Sequence, residues 1–141
     1  MANLKIKVKK EEVATYPCGS DVRYNGGESF PAVRQYRLGE NKGEVSMRFE
    51  AYGVPDKFIV FLDDMEIFNT GYLGDASYQS ALDKALTDLG LPTEKIIGGN
   101  GTMEFKFMKT STVSSILRIE VYAPLKGTAW AIFSSCPRSI N

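Results

Sequence analysis

The chain has 141 residues, of which 43% are hydrophobic and 24% charged, ordinary usage for one globular domain and evidence against disorder. Lysine plus arginine and aspartate plus glutamate both number 17, so no overall field recruits nucleic acid or an anionic membrane. The apolar runs are too short to cross a bilayer, and the first residues lack the unbroken apolar stretch of a signal peptide.

The chain begins with a basic stretch that precedes two glutamates. Leu4, Ile6 and Val8 alternate with lysines, which is typical of a half-buried strand. We therefore predict a charged N-terminal arm or first strand over residues 1–12, and a single β-sandwich domain over residues 13–141. A solvated strand face is the ordinary interpretation of such a charge run. The alternative is an arm that contacts a partner protein through its lysines, namely Lys5, Lys7, Lys9 and Lys10.

The next part of the chain alternates connections with strands. Residues 16–30 are rich in glycine, proline and asparagine, which predicts a turn-rich connection. Extended character resumes over 32–38, and 38–43 is predicted to be a hairpin loop. The strand that follows alternates apolar and polar residues, which predicts one buried and one wet face. Its apolar members are Val45, Met47, Phe49 and Ala51.

Residues 57–62 are predicted to form a strand that is apolar on both faces. Such a strand needs a cover on each side, either from its own domain or from a partner. Asp63 and Asp64 then form a tight turn, and the chain returns as a strand over 65–68.

One segment is predicted to be helical, from Ser77 to Leu89, because its apolar residues recur at spacings of three and four. Gly90 and Pro92 end it. We expect its apolar stripe to cover an open end of the core. Strands resume over 103–108, 115–122 and 128–136.

Seven or eight strands, frequent turns and one inserted short helix predict an all-β fold, an antiparallel β-sandwich of the jelly-roll kind. A closed barrel is the alternative.

Several common chemistries lack their usual residues. The chain has no histidine, the commonest general base and a usual zinc ligand, so we predict no enzyme activity and no cofactor. Cys18 and Cys136 could form a disulfide or remain two buried thiols, depending on the compartment. The glycine-rich loop 98–101 leads into a strand and lacks the Lys-Ser/Thr of a phosphate-binding loop.

Two sets of residues have both a structural and a functional interpretation. Asp56, Asp63 and Asp64 lie on connections that could cluster at one end of adjacent strands and supply oxygen ligands to calcium. Turn formation is the favoured interpretation, and no calcium-loop spacing is present. Trp130 could contact a partner or form a platform for a sugar ring. Its apolar surroundings favour a place in the core.

Four peptides together resemble a known group of proteins. Residues 51–60 read AYGVPDKFIV, 69–72 read NTGY, 122–130 read YAPLKGTAW and 135–137 read SCP. The series resembles β-sandwich modules of bacteriophage particle proteins and of bacterial surface proteins. These motifs are architectural, so no catalytic residue is carried over.

The resemblance implies a non-enzymatic structural component of a phage particle: a capsid decoration, head–tail or tail-associated protein. Its partners would be other virion proteins in a multi-copy assembly, and its location the virion, assembled in the host cytoplasm. The alternative is a carbohydrate- or cell-surface-binding β-sandwich module, extracellular or at the cell surface, with a host-surface glycan as partner. Neither interpretation involves nucleic acid or a membrane.

Overall fold

A computed structural model describes residues 13–25 and 30–139. Two sheets pack face to face and share one core. The described residues form nine strands: β1 (Ala14–Pro17), β2 (Asp21–Asn25), β3 (Ala32–Gly39), β4 (Gly43–Glu50), β5 (Asp56–Leu62), β6 (Met65–Leu73), β7 (Thr102–Lys109), β8 (Ser115–Tyr122) and β9 (Ala129–Ser134). A 3-10 turn, Ala76–Tyr78, leads into the helix α1, Gln79–Asp88.

The strand order is that of a jelly roll, which confirms the predicted fold. One sheet has the order β2-β9-β4-β7, and the other has the order β1-β3-β8-β5-β6. Strands β2 to β9 form the eight-stranded double sheet of that architecture. The short strand β1 extends one edge by pairing parallel to β3. Because the strands form two separate sheets, the closed-barrel alternative is wrong.

Alternating side chains build the core between the sheets. Val45, Met47 and Phe49 of β4 are at most 2% exposed, and the rings of Phe49 and Phe58 meet at 5.3 Å. This confirms that β4 has one buried face. The sequence predicts a cover for both faces of β5. Its second face points away from the core and belongs to the outer face of the five-stranded sheet.

The helix builds a second, smaller core on that outer face. Asp75 caps the preceding 3-10 turn by accepting a hydrogen bond from the backbone N–H of Ser77. Leu82 and Leu86 of α1 are fully buried against Tyr72 and Ile96. The helix was predicted to cover an open end of the main core. It covers the outside of the sheet instead, because the residues that meet its stripe lie on the outward positions of β6 and the loop after α1.

The structure corrects one further prediction from the sequence, and another prediction concerns residues outside the described ones. The stretch 16–30, predicted to be a connection, holds the second half of β1 and all of β2. Because β1 and β2 are short, the turn-forming residues next to them dominate the sequence pattern of this stretch. The predicted strand around Leu4, Ile6 and Val8, with the four lysines of the arm, lies outside the described residues.

A disulfide and a buried lysine tie together the loops at one end of the sandwich. Cys18, after β1, is bonded to Cys136, after β9, which resolves the two alternatives that the sequence left open. Lys109 is 1% exposed and donates from Nζ to the backbone carbonyls of Asn41 and Ser111. Carbonyl oxygens therefore satisfy the buried ammonium group, and these hydrogen bonds join the loop before β4 to the loop after β7.

Candidate functional site

The candidate site starts at the turn between β5 and β6. Asp63 and Asp64 both have positive φ angles, 48° and 71°, which suit the two central residues of a type I′ hairpin and which aspartate tolerates better than most residues. Asp63 holds the turn against β8: its N–H donates to the carbonyl of Ile116, and its Oδ1 accepts from the N–H of Ile116, both at 3.0 Å. The turn is thus fixed in place beside the outer face of the sheet.

Arg118 lies at the centre of this face because of the strand register. On β8, Leu117 and Ile119 point into the core, so Arg118 points outward. It lies opposite Gln35 of β3 on one side and opposite Phe61 of β5 on the other. Gln35, Arg118 and Phe61 therefore form one cross-strand row.

The guanidinium of Arg118 is held on three sides. Its Cζ lies 4.3 Å from the centroid of the Phe61 ring, a cation–π arrangement. Its Nη1 donates to the carboxylate of Asp64, and its Nε lies 3.4 Å from Oε2 of Glu120. The Arg118 side chain is only 24% exposed, whereas that of Asp64 is 86% exposed. The arginine is therefore fixed, and the carboxylate presents its remaining hydrogen-bonding capacity to solvent.

These residues line a groove of about 290 Å³, which we call the Arg118 groove. Its lining residues are Gln35, Asp63, Asp64, Ile116 and Arg118. The volume lies just below the usual lower limit for small-molecule sites, about 300 Å³. The groove combines planar polar groups with one apolar side chain, that of Ile116. Fixed polar groups of this kind orient a small polar ligand.

A chain of polar contacts continues from Arg118 along the outward positions of β8. The hydroxyl of Tyr122 donates to Oε1 of Glu120 at 2.6 Å. Burial, with help from Glu120, raises the pKa of Tyr122 to about 12. Lys57 lies 5.5 Å from the centre of the Tyr122 ring and pairs with Glu94 at 2.7 Å. The polar side chains of this face therefore contact one another from the groove to the helix.

The opposite outer face, on the four-stranded sheet, has two hollows that are smaller than the Arg118 groove. Arg48 covers the Phe133 ring at 5.2 Å, and hollows of about 10 and 130 Å³ lie on either side of this pair. The smaller hollow holds about one water molecule. The Arg118 groove is the roomier of these described surfaces.

The three aspartates proposed as calcium ligands do not lie together. Asp56 begins β5, while Asp63 and Asp64 follow its end, so a strand of seven residues, roughly 20 Å long, separates them. Asp56 is 0% exposed, and both its oxygens lie within 2.8 Å of the Thr128 hydroxyl. Burial raises its pKa to about 8, against a smaller opposing effect of Thr128. It is neutral at pH 7 and is a structural group.

The two turn aspartates also have other partners. The carboxylate of Asp64 is paired with Arg118, and that of Asp63 accepts from Ile116. Within residues 13–25 and 30–139, no group of three or more histidine, cysteine, aspartate or glutamate side chains could hold a metal ion. The expectation that Asp56, Asp63 and Asp64 form one cluster is wrong.

Trp130 is a core residue. It is 1% exposed and contacts the rings of Tyr24 and Phe58 at 5.5 and 6.3 Å. Arg34 lies 5.4 Å from its ring centre. The indole is therefore not accessible to a partner or a sugar. The prediction that Trp130 is a possible contact residue is corrected accordingly. The other candidate contacts, Lys5, Lys7, Lys9 and Lys10, lie outside the described residues.

The turn of the Arg118 groove is predictable from the sequence, but its centre is not. Asp63 and Asp64 were recognised, although as turn residues and calcium candidates. Gln35, Phe61 and Arg118 were not singled out. Two features of the sequence could have identified them. Arg118 has an outward position on the alternating strand β8, and the aromatic ring of Phe61 has an outward position on β5, which is apolar on both faces.

The fold places the chain among jelly-roll β-sandwich domains, and the comparisons with known proteins agree. No protein-family model matches the chain, and no curated protein matches its sequence. Among solved structures, the pre-peptidase C-terminal domain of a Bacillus anthracis collagenase is 12% identical with a TM-score of 0.50, covering 86% of this chain and 94% of that one. At this identity the likeness shows the fold alone.

Two further solved structures match the chain at low identity. CorA, a surface-associated copper-binding protein of Methylomicrobium album, is 8% identical with a TM-score of 0.50, covering 89% of this chain and 98% of that one. A Clostridium stercorarium module, CsCBM6-3, solved with cellobiose, is 11% identical with a TM-score of 0.37, covering 86% of this chain and 97% of that one. The last score is too low to carry an argument. Among the described residues, α1 is too short to serve as a membrane span, and no other helix qualifies.

Proposed function

We propose that this chain is a non-enzymatic, saccharide-binding β-sandwich module that works outside the cell or at a cell surface. The observation that carries the proposal is the Arg118 groove, in which a fixed guanidinium, two carboxylates and a carboxamide surround one space. Saccharides offer many hydroxyl groups that both donate and accept hydrogen bonds. Planar polar side chains of fixed orientation pair well with such groups.

The free hydrogen-bonding positions of the groove match hydroxyl groups. Asp63 and Asp64 each have an oxygen that can accept from a ligand, because their described contacts use only part of their capacity. Gln35 accepts from Thr15 through Oε1 at 3.1 Å, so its amide N–H groups are left to donate. Acceptors and donors thus face the same space from opposite walls.

The charge of the groove favours a neutral ligand. Two carboxylates, from Asp63 and Asp64, outnumber the single guanidinium of Arg118, which leaves a net charge of −1. Glu120 lies directly beside the arginine and adds another negative charge. Phosphates, sulfated sugars and uronic acids are therefore disfavoured by like-charge repulsion.

The disulfide supports a location outside the cytosol. Cys18 and Cys136 are bonded, and structural disulfides persist in oxidising environments such as the extracellular space. The same feature weighs against assembly in a reducing host cytoplasm. None of the structural neighbours described above is a phage-particle protein, so the virion role implied by the resemblance has no further support.

A glycan array followed by calorimetry tests the proposal. We expect the purified chain to bind neutral glycans in preference to sialylated or sulfated ones. Asp64→Ala removes an exposed carboxylate and should weaken binding about tenfold, the effect of losing one charge-assisted hydrogen bond. Asp88→Ala, an exposed carboxylate on α1, is the matched control and should bind like the wild type. Binding to no glycan, or only to acidic glycans, would contradict the proposal.

A further inference from the structure

The strand β7 is an open edge of the four-stranded sheet. It comes last in the strand order and pairs with β4 along its whole length, from Thr102 to Lys109. Among residues 13–25 and 30–139, no strand pairs with its other side. Its eight residues contain no proline. Such a strand presents a row of backbone donors and acceptors to another chain.

The inward-facing side chains of β7 are apolar and leave part of their surface exposed at this open edge. Met103, Phe105 and Phe107 point toward the core but are only partly buried. Phe105 is stacked on Phe68 of β6 at 4.1 Å, and on Phe107 at 5.9 Å. The core therefore ends in half-exposed aromatic rings, which a further strand at this edge would cover.

The outward side carries two opposite charges. Glu104 and Lys106 are exposed, and neither has an ion pair with a described residue. Many other charged side chains on the sheet faces are paired, for example Arg48 with Asp21 and Glu50. The edge strand thus presents one unpaired acid and one unpaired base, two residues apart.

We propose that β7 pairs antiparallel with β7 of a second copy of this chain, around a two-fold axis at Phe105. In this register, Glu104 lies opposite Lys106 of the second copy, and Lys106 lies opposite its Glu104. Met103 lies opposite Phe107, and the two Phe105 rings lie opposite each other on the inward side. The result is a continuous eight-stranded sheet with an isologous interface.

Only this register satisfies the charges. Residues that lie opposite each other in an antiparallel pair point to the same face, so the axis must pass through a residue. An axis at Glu104 sets two glutamates opposite each other, and an axis at Lys106 sets two lysines opposite each other. Like charges in direct cross-strand pairs are destabilising. Among the possible axes along β7, only the one at Phe105 sets Glu104 opposite Lys106, so the alternation of β7 favours this register.

Charge reversal tests the interface. Sedimentation velocity from micromolar to millimolar concentration should show a species of twice the 15.6 kDa chain mass. Glu104→Lys or Lys106→Glu alone puts like charges at both symmetric pairs and should raise the dissociation constant about tenfold or more. The double variant restores both pairs with reversed sign and should recover the wild-type constant. Lys84→Glu, on the exposed face of α1, is the control and should not change it.

Cross-linking tests the register itself. Directly opposite residues have Cα atoms about 4.5–5.5 Å apart, a separation that a disulfide spans. A mixture of Glu104→Cys and Lys106→Cys chains should give mixed cross-linked dimers in preference to either self-linked dimer. Circular dichroism checks that each variant is folded. We expect all of them to fold, because the substituted side chains are exposed. A chain that stays monomeric at millimolar concentration, or a dimer unaffected by both single reversals, overturns the proposal.

Discussion

The buried carboxyl group of Asp56 should make the stability of the domain depend on pH in an unusual direction. Asp56 is 0% exposed, and no cation lies among its described hydrogen-bond and ion-pair partners; Thr128 is the partner of both its oxygens. Burial raises its pKa from an ordinary 3.8 to about 8. Between these two values the unfolded chain releases the proton that the folded chain still holds. Stability therefore falls as pH rises through this interval.

The size of the effect follows from the width of the interval. Each pH unit in it changes the free energy of unfolding by about 1.4 kcal/mol. Over the whole interval the loss is about 6 kcal/mol, and it levels off above pH 8. This is a large fraction of the 5–15 kcal/mol that is usual for a whole domain. Relaxation of the loops around Asp56 would lower the value but not reverse its sign.

Asp56→Asn isolates this contribution. The amide is nearly the same size as the neutral acid, can still pair with Thr128 and does not ionise. Urea unfolding at pH 4.5, 6, 7.5 and 9 should show similar stabilities at the lowest pH. The variant should become progressively more stable than the wild type by several kcal/mol toward pH 9. Asp88→Asn, at an exposed carboxylate, is the control. Parallel curves for wild type and Asp56→Asn across this range would refute the assignment of Asp56 as a buried neutral acid.

Two other changes test the core and the cross-link. Trp130→Ala removes a fully buried ring and should lower the free energy of unfolding by about 3–5 kcal/mol, measured by urea unfolding; a change below about 1 kcal/mol would contradict its place in the core. Cys18→Ser with Cys136→Ser opens a cross-link between residues 118 apart and should lower it by about 4 kcal/mol. Thiol titration of the untreated, denatured wild type should find no free thiol, and finding two would show that the bond does not form.

The parts of the fold that depend on local pattern could be predicted from the sequence. The strict alternation from Val45 to Phe49 determines which face of β4 is buried, and the apolar spacing up to Leu86 identifies the helix. The turn at Asp63 and Asp64 also follows from local chemistry, because aspartate tolerates the left-handed conformation. These features need no knowledge of which strands are neighbours.

The candidate site could not be predicted in the same way. The Arg118 groove depends on the register of three strands, because Gln35, Phe61 and Arg118 come from β3, β5 and β8. Distances along the chain do not contain that register. The grouping of Asp56 with the turn aspartates failed for the same reason, since neighbouring connections lie at opposite ends of the strand between them. Sequence alone indicated the types of residue, and the sheet order decided which of them meet.

The measurement that tests the central claim most directly is an NMR titration of the isotopically labelled chain with the neutral glycan that binds best on the array. Binding at the Arg118 groove should shift the amide signals of Asp64, Ile116 and Arg118 and the side-chain amide of Gln35, with saturation at one ligand per chain. The signals of the opposite outer face around Arg48 and Phe133 should stay unchanged. Shifts confined to that opposite face, or no saturable shift for any neutral glycan, would contradict the proposed function.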